Sequence, residues 1–478
     1  MSLTFVDLCA GLGGFHKALV ALGHECVYAS EIDAELRALY EQNFPSLKGA
    51  IYGDIRESRN KEALPPHQIL CVGFPCQPFS KSGSQIGLAD PTQGTIFHEI
   101  VEILQRHQPE YVILENVGNF ERHDDGRTWR IVQESLKALD YHVRGTTHKA
   151  SGGLGLLSPH HLGFPHTRER FFIVGRRVKP LPENPFFVPD RSCVTSLSNI
   201  IQSEDTLTAE DIKETSLTLS QRECIEHWNE MLASLPRDTR LPSFPIWGDE
   251  LDAEYPYERY TPYAASIKEL RRCLRRYALE PCMTRNALLS LLPSYARTQE
   301  EVFPVWKVQF IRQNREWLKA CRKYLSDEWV ERLKSFPPSL RKFEWNCKGE
   351  ERDLWKHVLQ FRPSGLRVKR FSSSPALVAM TSTQIPLLGP QRRFLTRREG
   401  LRLQGFPDDH ALPDSRTRAF KALGNAVHIG VVTEIAKRLI VAEQPGRVAI
   451  VKDSKLTHSL PTPEYRHEVS SIDYRPGS

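Results

Sequence analysis

The chain has 478 residues, 40% of them hydrophobic and 26% charged, with a formal net charge of +6. That length allows two or three domains or one large enzyme with an insertion, and the composition is that of a globular chain with a sizeable core rather than a fibrous or disordered one. The ten cysteines run from Cys9 to Cys347 without zinc-ribbon spacing or a dense disulfide framework, so a reduced, cytoplasmic chain is expected.

The N-terminal stretch MSLTFVDLCAGLGGF has an acid at position 7 and no basic start, so it is not expected to be a signal peptide. No apolar run of about 18 residues exists, so no membrane partner is expected. From there strands and helices alternate. Residues 3–8 read as a strand, 15–23 as a helix, 26–33 as a second strand and 34–44 as a helix. Residues 67–76 read as a central strand, 97–108 as a helix, 111–117 as a strand, 127–141 as a helix and 170–178 as a further strand. This alternation predicts an α/β fold with a doubly wound, mostly parallel sheet.

Asp7, Glu31, Asp54, Cys76 and Glu115 fall at or just beyond strand carboxyl ends, the edge where open α/β sheets bind ligands. Beyond residue 178 the alternation stops. Residues 179–190 hold four prolines, and the region to about 389 is irregular and contains seven of the eight tryptophans. Basic clusters such as Lys268, Arg271, Arg272, Arg275 and Arg276 are interleaved with them. Order returns at 394–407, a helix with Thr396 as N-cap and Glu399 three residues on. Residues 418–442 read as a glycine-led turn and an apolar helix, and 443–478 as a tail without order. The expected organisation is therefore a catalytic and cofactor-binding part (1–178), a variable target-recognition region (179–389), a segment completing the catalytic domain (390–442) and the tail.

Two loops carry the chemistry. Asp7-Leu8-Cys9-Ala10-Gly11-Leu12-Gly13-Gly14 follows a strand and opens a helix, where glycines let a ligand approach the backbone. Glu31 fits a ribose-hydroxyl acceptor, and Asp54 fits a partner for an adenine amino group. No Walker-type lysine follows, so phosphate cradling is disfavoured. Gly73-Phe74-Pro75-Cys76-Gln77-Pro78-Phe79-Ser80 holds a cysteine between prolines at a strand end, a rigid and exposed placement that suits a nucleophile. A buried cysteine in a proline turn is the plain alternative for that loop taken alone.

GFPCQPFS, with DLCAGLGGF upstream and Glu115-Asn116-Val117 downstream, resembles the bacterial DNA cytosine-C5 methyltransferase family. FPHTRERFFIVG (164–175), REGLRLQGFP (398–407) and GNAV (424–427) extend the resemblance over about 1–178 and 390–442. The resemblance implies S-adenosyl-L-methionine as cofactor, and double-stranded DNA as substrate with the target cytosine flipped out. It implies that the Cys76 thiolate attacks C6, that C5 of the resulting enamine is methylated, and that loss of the C5 proton releases Cys76. Glu115 would protonate N3 after burial raises its pKa, and Arg168 and Arg170, facing one side of an extended segment, would surround the base. Phe74, Gln77, Ser80, Asn116 and Val117 would line the base site. Asp7, Leu8, Cys9, Ala10, Gly11, Gly13, Gly14, Glu31, Ile32, Asp54, Ile55, Pro75, Asn425 and Val427 would hold the cofactor, and no metal is implied.

The pattern departs from the family at Cys9, where an aromatic is common, and at His166, where glutamine is common. The approach at 149–166 and DPTQG at 90–94 also differ, which bears on cofactor and base contacts rather than on reaction type. The reading is a monomeric, sequence-specific DNA methyltransferase of a restriction–modification pair with a cognate endonuclease. A transfer-RNA cytosine-C5 methyltransferase and a catalytically silent DNA-binding relative are its rivals.

Overall fold

The computed structural model describes residues 2–75, 95–149, 153–190, 192–275, 279–378 and 384–440. A seven-stranded sheet contains β1 (Thr4–Leu8), β2 (Glu25–Ser30), β3 (Ile51–Tyr52), β4 (Ile69–Gly73), β5 (Tyr111–Val117), β6 (Tyr141–Gly145) and β8 (Arg170–Arg177). Between the last two in sequence lies the short strand β7 (His166–Thr167). The sheet order is β3-β2-β1-β4-β5-β8-β6. All pairings are parallel except those of β8, which runs antiparallel between β5 and β6.

β1, β4 and β5 are apolar on both faces because both faces are covered. On one face Phe5, Ile69, Cys71, Ile113 and Val174 pack with the helices Gly14–Val20 and Ile429–Leu439. On the other, Val6, Leu70, Val72, Val112 and Ile173 pack with Ile96–His107 and Arg127–Ala138. The C-terminal helix is thus a neighbour of the first helix, some 400 residues away along the chain.

Sequence periodicity locates the central strands but not β3, which has two residues, nor β6, whose burial alternates at the sheet edge. It also cannot supply the direction of β8: among the described residues of 146–169 there is no crossover α-helix, and the chain returns antiparallel. One expectation is corrected in the C-terminal segment. Residues 418–442 do not begin with a glycine-led turn. The helix Arg416–Asn425 runs through Gly424, the chain breaks at Ala426, and His428 caps Ile429–Leu439 by accepting from Val431 N.

The central region builds a six-stranded sheet in the order β15-β14-β11-β12-β10-β9. Its strands are β9 (Ile246–Trp247), β10 (Lys342–Asn346), β11 (Val358–Arg362), β12 (Gly365–Lys369), β14 (Leu387–Leu388) and β15 (Arg393–Phe394). The last strand comes from beyond residue 389, so the sheet of the central region and the returning C-terminal segment are continuous. Trp228, Trp329, Trp345 and Trp355 are buried in the core of this region, whereas Trp306 is exposed. The basic stretch near 271 is largely occupied: Arg271 donates to the carbonyls of Glu280, Pro281 and Met283, Arg272 faces Glu269, and Arg275 pairs with Glu254.

Besides β15, two further connections between the regions stand out. β7 pairs in parallel with β13 (Ser374–Pro375). Deeper, the fully buried Glu399 accepts from Thr396 N (2.8 Å) in the anticipated capping box, from Gln202 N (2.9 Å), and from both Nη groups of Arg393 (2.6 and 2.9 Å). Removing one partner of a buried, fully used pair strands the other. Glu399→Gln is therefore expected to destabilise the protein by about 3–5 kcal/mol. Urea denaturation checks this, and a loss of a few tenths would show that the junction does not depend on the charge.

Candidate active site

β4 and β5 lie side by side with Gly73 opposite Glu115. Gly73 faces Glu115 and Val427: a Cβ there would be in ordinary van der Waals contact with Glu115 Oε2 (3.7 Å) and Val427 Cγ1 (3.8 Å). Glu115 is buried and forms an ion pair with Arg170, Nε to Oε1, at 3.0 Å. Burial pushes its carboxyl above the usual range, and the Arg170 and Arg168 charges oppose this without cancelling it. Such a group keeps its proton where an ordinary glutamate has lost it, and can donate to a base.

The two arginines are put to different uses. Arg170 faces Glu115. Arg168 is buried, and its Nη2 donates to the carbonyls of Gly424 and Ala426, both at 2.8 Å, while its backbone N donates to Ser158 Oγ. Arg168 therefore holds the GNAV segment in place. Nearby His166 is wholly buried and its ring meets the carbonyl of Leu403 at 3.0 Å, which makes it part of the same clamp.

Asn116 also positions main chain. Its Nδ2 donates to Phe74 O (2.9 Å), and its Oδ1 accepts from Val117 N (2.9 Å). The Phe74 ring turns into the core against Phe97 and Phe120, so only its backbone is offered at the loop. Pro75 is exposed. Cys76, Gln77 and Ser80 lie outside the described residues.

On the other side of Gly73, the glycine-rich loop turns through left-handed backbone at Cys9 (φ 53), Gly11 (φ 53) and Gly13 (φ 77). A non-glycine there is strained by about 1 kcal/mol or more. The Cys9 thiol is pushed up to about 12 by burial and by Glu31, Asp7 and Asp54, so it stays protonated and is not a nucleophile. Leu8 and Ala10 are buried and offer backbone only. Glu31 braces the loop, accepting from Gly11 N and Asp33 N at 2.9 Å each.

Ile32 beside it is 65% exposed, an apolar face at the strand end. Asp54 is paired with Arg56, and Ile55 is in the core. Asn425 is exposed, and Val427 packs over Gly14, where a Cβ would lie 2.6 Å from its Cγ2 and 2.7 Å from its carbonyl oxygen. An exposed apolar side chain, an adjacent carboxylate and a glycine loop under Val427 fit an adenosine: apolar base, ribose hydroxyls, close backbone.

Asp7 does not face this cleft. It is fully buried beneath the loop, its Oδ2 accepting from Tyr40 OH (3.2 Å), whose oxygen meets His16 Nδ1 (2.9 Å). Burial raises its carboxyl well above the usual range. Sequence reasoning missed Tyr40 and His16, because an apolar helix face carrying one Tyr or one His reads as ordinary core. Among the described residues no helix is long and apolar enough to cross a membrane.

Two outcomes follow from this geometry. Gly14→Ala drives a Cβ into the Val427 backbone and is expected to cost about 1–3 kcal/mol and weaken cofactor binding, checked by thermal unfolding and calorimetric titration with S-adenosyl-L-methionine. Binding and stability equal to the parent would show that Val427 moves freely. Arg170→Met removes a lowering influence, so the Glu115 carboxyl should titrate at higher pH than in the parent. Carbon-13 NMR of the glutamate carboxyls checks this, and a lower titration point contradicts it.

The profile described as "C-5 cytosine-specific DNA methylase" matches residues 3–441. The chain is 33% identical over 91% of its length to the type II methyltransferase M.AluI of Cellulosimicrobium cellulans, covering 91% of that protein. It is 28% identical over 92% of its length to M.BanI of Aneurinibacillus aneurinilyticus, covering 96% of it. It is 41% identical to M.HhaI of Haemophilus parahaemolyticus over 36% of this chain and 48% of that one. Matched across nearly its whole described length, the chain belongs to the C-5 cytosine-specific DNA methylase family.

Proposed function

We propose that the chain is the modification methyltransferase of a type II restriction–modification pair, acting as a monomer in the bacterial cytoplasm with Cys76 as nucleophile and Glu115 as proton donor. The activity itself comes with the family: methylation of cytosine C5 in DNA. S-adenosyl-L-methionine supplies the methyl group.

The chain's own residues divide the remaining work. Glu31 and Ile32, under the glycine loop, would hold the nucleoside part of the cofactor, and Val427 would close the site from the C-terminal side. Cys76 Sγ would bond to C6 of the flipped base. Electron density then moves toward N3, where the raised carboxyl of Glu115 would deliver its proton. Arg170 would hold that carboxyl in place. Asn116 would fix the backbone of Phe74, two residues before the nucleophile, and Arg168 would lock the segment that covers the cofactor.

The observation that carries this reading is the buried, protonation-prone Glu115 beside the strand end that leads directly into Cys76. Relatives that match over the central region as well as the ends carry type II methyltransferase names, which favours duplex DNA over transfer RNA and suggests a cognate endonuclease. With catalytic and recognition parts in one chain, a monomer suffices.

Labelled S-adenosyl-L-methionine should transfer label to duplex DNA and not to transfer RNA. Glu115→Gln should lower kcat by roughly 100- to 10,000-fold, and Cys76→Ser should abolish transfer. Label in transfer RNA alone, or a Cys76→Ser enzyme that still methylates, would refute the proposal.

A further inference from the structure

The recognition sheet has an apolar side and a polar side. On β10, Phe343 and Trp345 point into the core while Lys342, Glu344 and Asn346 alternate outward. On β12, Leu366 and Val368 point inward while Arg367 and Lys369 face outward. The parallel register sets Glu344 opposite Arg367 and Asn346 opposite Lys369. A cavity of about 510 Å³ opens over this face, and its opposite wall is Thr167 of β7 with Ser372 and Ser373. Thr167 Oγ1 and Ser373 Oγ are 2.8 Å apart, where β7 pairs with β13. The cavity therefore begins one residue from Arg168 and three from Arg170, the latter against Glu115.

The side chains are oriented rather than loose. Glu344 Oε2 accepts from Arg367 Nε (2.9 Å), and Glu344 Oε1 accepts from Asn346 Nδ2 (2.9 Å). Among the described residues Arg367 Nη1 and Nη2 make no hydrogen bond, so a planar pair of donors faces the cavity. That fork matches the two major-groove acceptors of guanine, and the free Oδ1 of Asn346 accepts from an adenine or cytosine amino group. Lys369 is partly buried; desolvation and the Arg367 charge lower its pKa, with Glu344 opposing. A cation held at that disadvantage is relieved by an anion, and the anion a groove-bound duplex brings is phosphate.

Resting on the DNA-methylation reading, we infer that the outward face of β10 and β12 reads the base pairs flanking the target cytosine, with Arg367 the specificity-determining residue and Lys369 a phosphate contact. The cavity abuts β7, whose Thr167 immediately precedes Arg168 in the chain, so a duplex engaged there presents its flipped base toward Arg170 and Glu115.

The test uses the full chain and a duplex library, with methylated positions read by bisulfite sequencing. Arg367→Ala is expected to lower kcat/KM on the parent's own site by about 5- to 150-fold and to relax preference at one base-pair position. Lys369→Ala is expected to weaken binding on all sequences alike and to lower the slope of log affinity against log salt by about one. Arg367→Lys keeps the charge but not the fork, so it should relax the same position. If Arg367→Ala loses all transfer, the Arg367→Lys profile decides. An Arg367→Lys enzyme with the parent's site profile overturns the assignment, while a parent that methylates no DNA overturns the underlying reading as well.

Discussion

Everything at the site depends on one close contact, the seating of Val427 against Gly14. Gly14 opens the first helix, and a Cβ there would meet Val427 at 2.6–2.7 Å, whereas Gly73 at the end of the central strand faces Val427 at ordinary van der Waals distance. The contact needs the last helices to return to the first strand's edge, and a wholly apolar helix face makes them do so. Val431, Val432, Ile435 and Leu439 are buried against Phe15, Ala18 and Leu19. Arg168 then fixes the segment's height above the sheet by binding the carbonyls of Gly424 and Ala426. A guanidinium suits that position because its forked donors satisfy two carbonyls that the end of the helix leaves without partners.

Burial does the chemical tuning. Asp7, Cys9 and Glu115 lie at the same sheet edge, and desolvation holds all three toward their protonated forms. The consequences differ because the neighbours differ. Cys9 sits among carboxylates and is silenced. Glu115 sits beside two arginines, whose charges oppose the rise that burial causes. Asp7 is shut beneath the loop with Tyr40 and His16 and acts as a support.

The inserted region and the C-terminal segment share one apolar core, in which Leu401, Leu403, Phe406, Phe420 and Leu423 pack with Leu197, Trp228, Phe343 and Leu387. Polar contacts add to it: Glu399 holds Gln202 and Arg393 in a buried cluster, and β7 with β13 forms a two-stranded seam. Apolar packing supplies the burial, and hydrogen bonds of fixed direction set the orientation of the two parts.

The sequence by itself determined the central strands, the helices that cover them and the Thr396–Glu399 cap. These are local: period-two and period-3.6 apolar patterns, turn residues and short motifs act within a few residues of one another. The buried tryptophans also follow from composition, since large apolar rings fill cores. What only the tertiary structure decided was long-range. It set β8 antiparallel and continued the helix through Gly424, neither of which local pattern encodes. It placed Asp7 under the loop and split two neighbouring arginines between a clamp and an ion pair. It showed that the basic run near Arg271 is spent on carbonyls and acids while Arg367 and Lys369, in the basic stretch 366–370, face a cavity. Charge and residue type are written in the sequence, but which groups find a partner, and so which remain free to bind one, depends on packing between segments hundreds of residues apart.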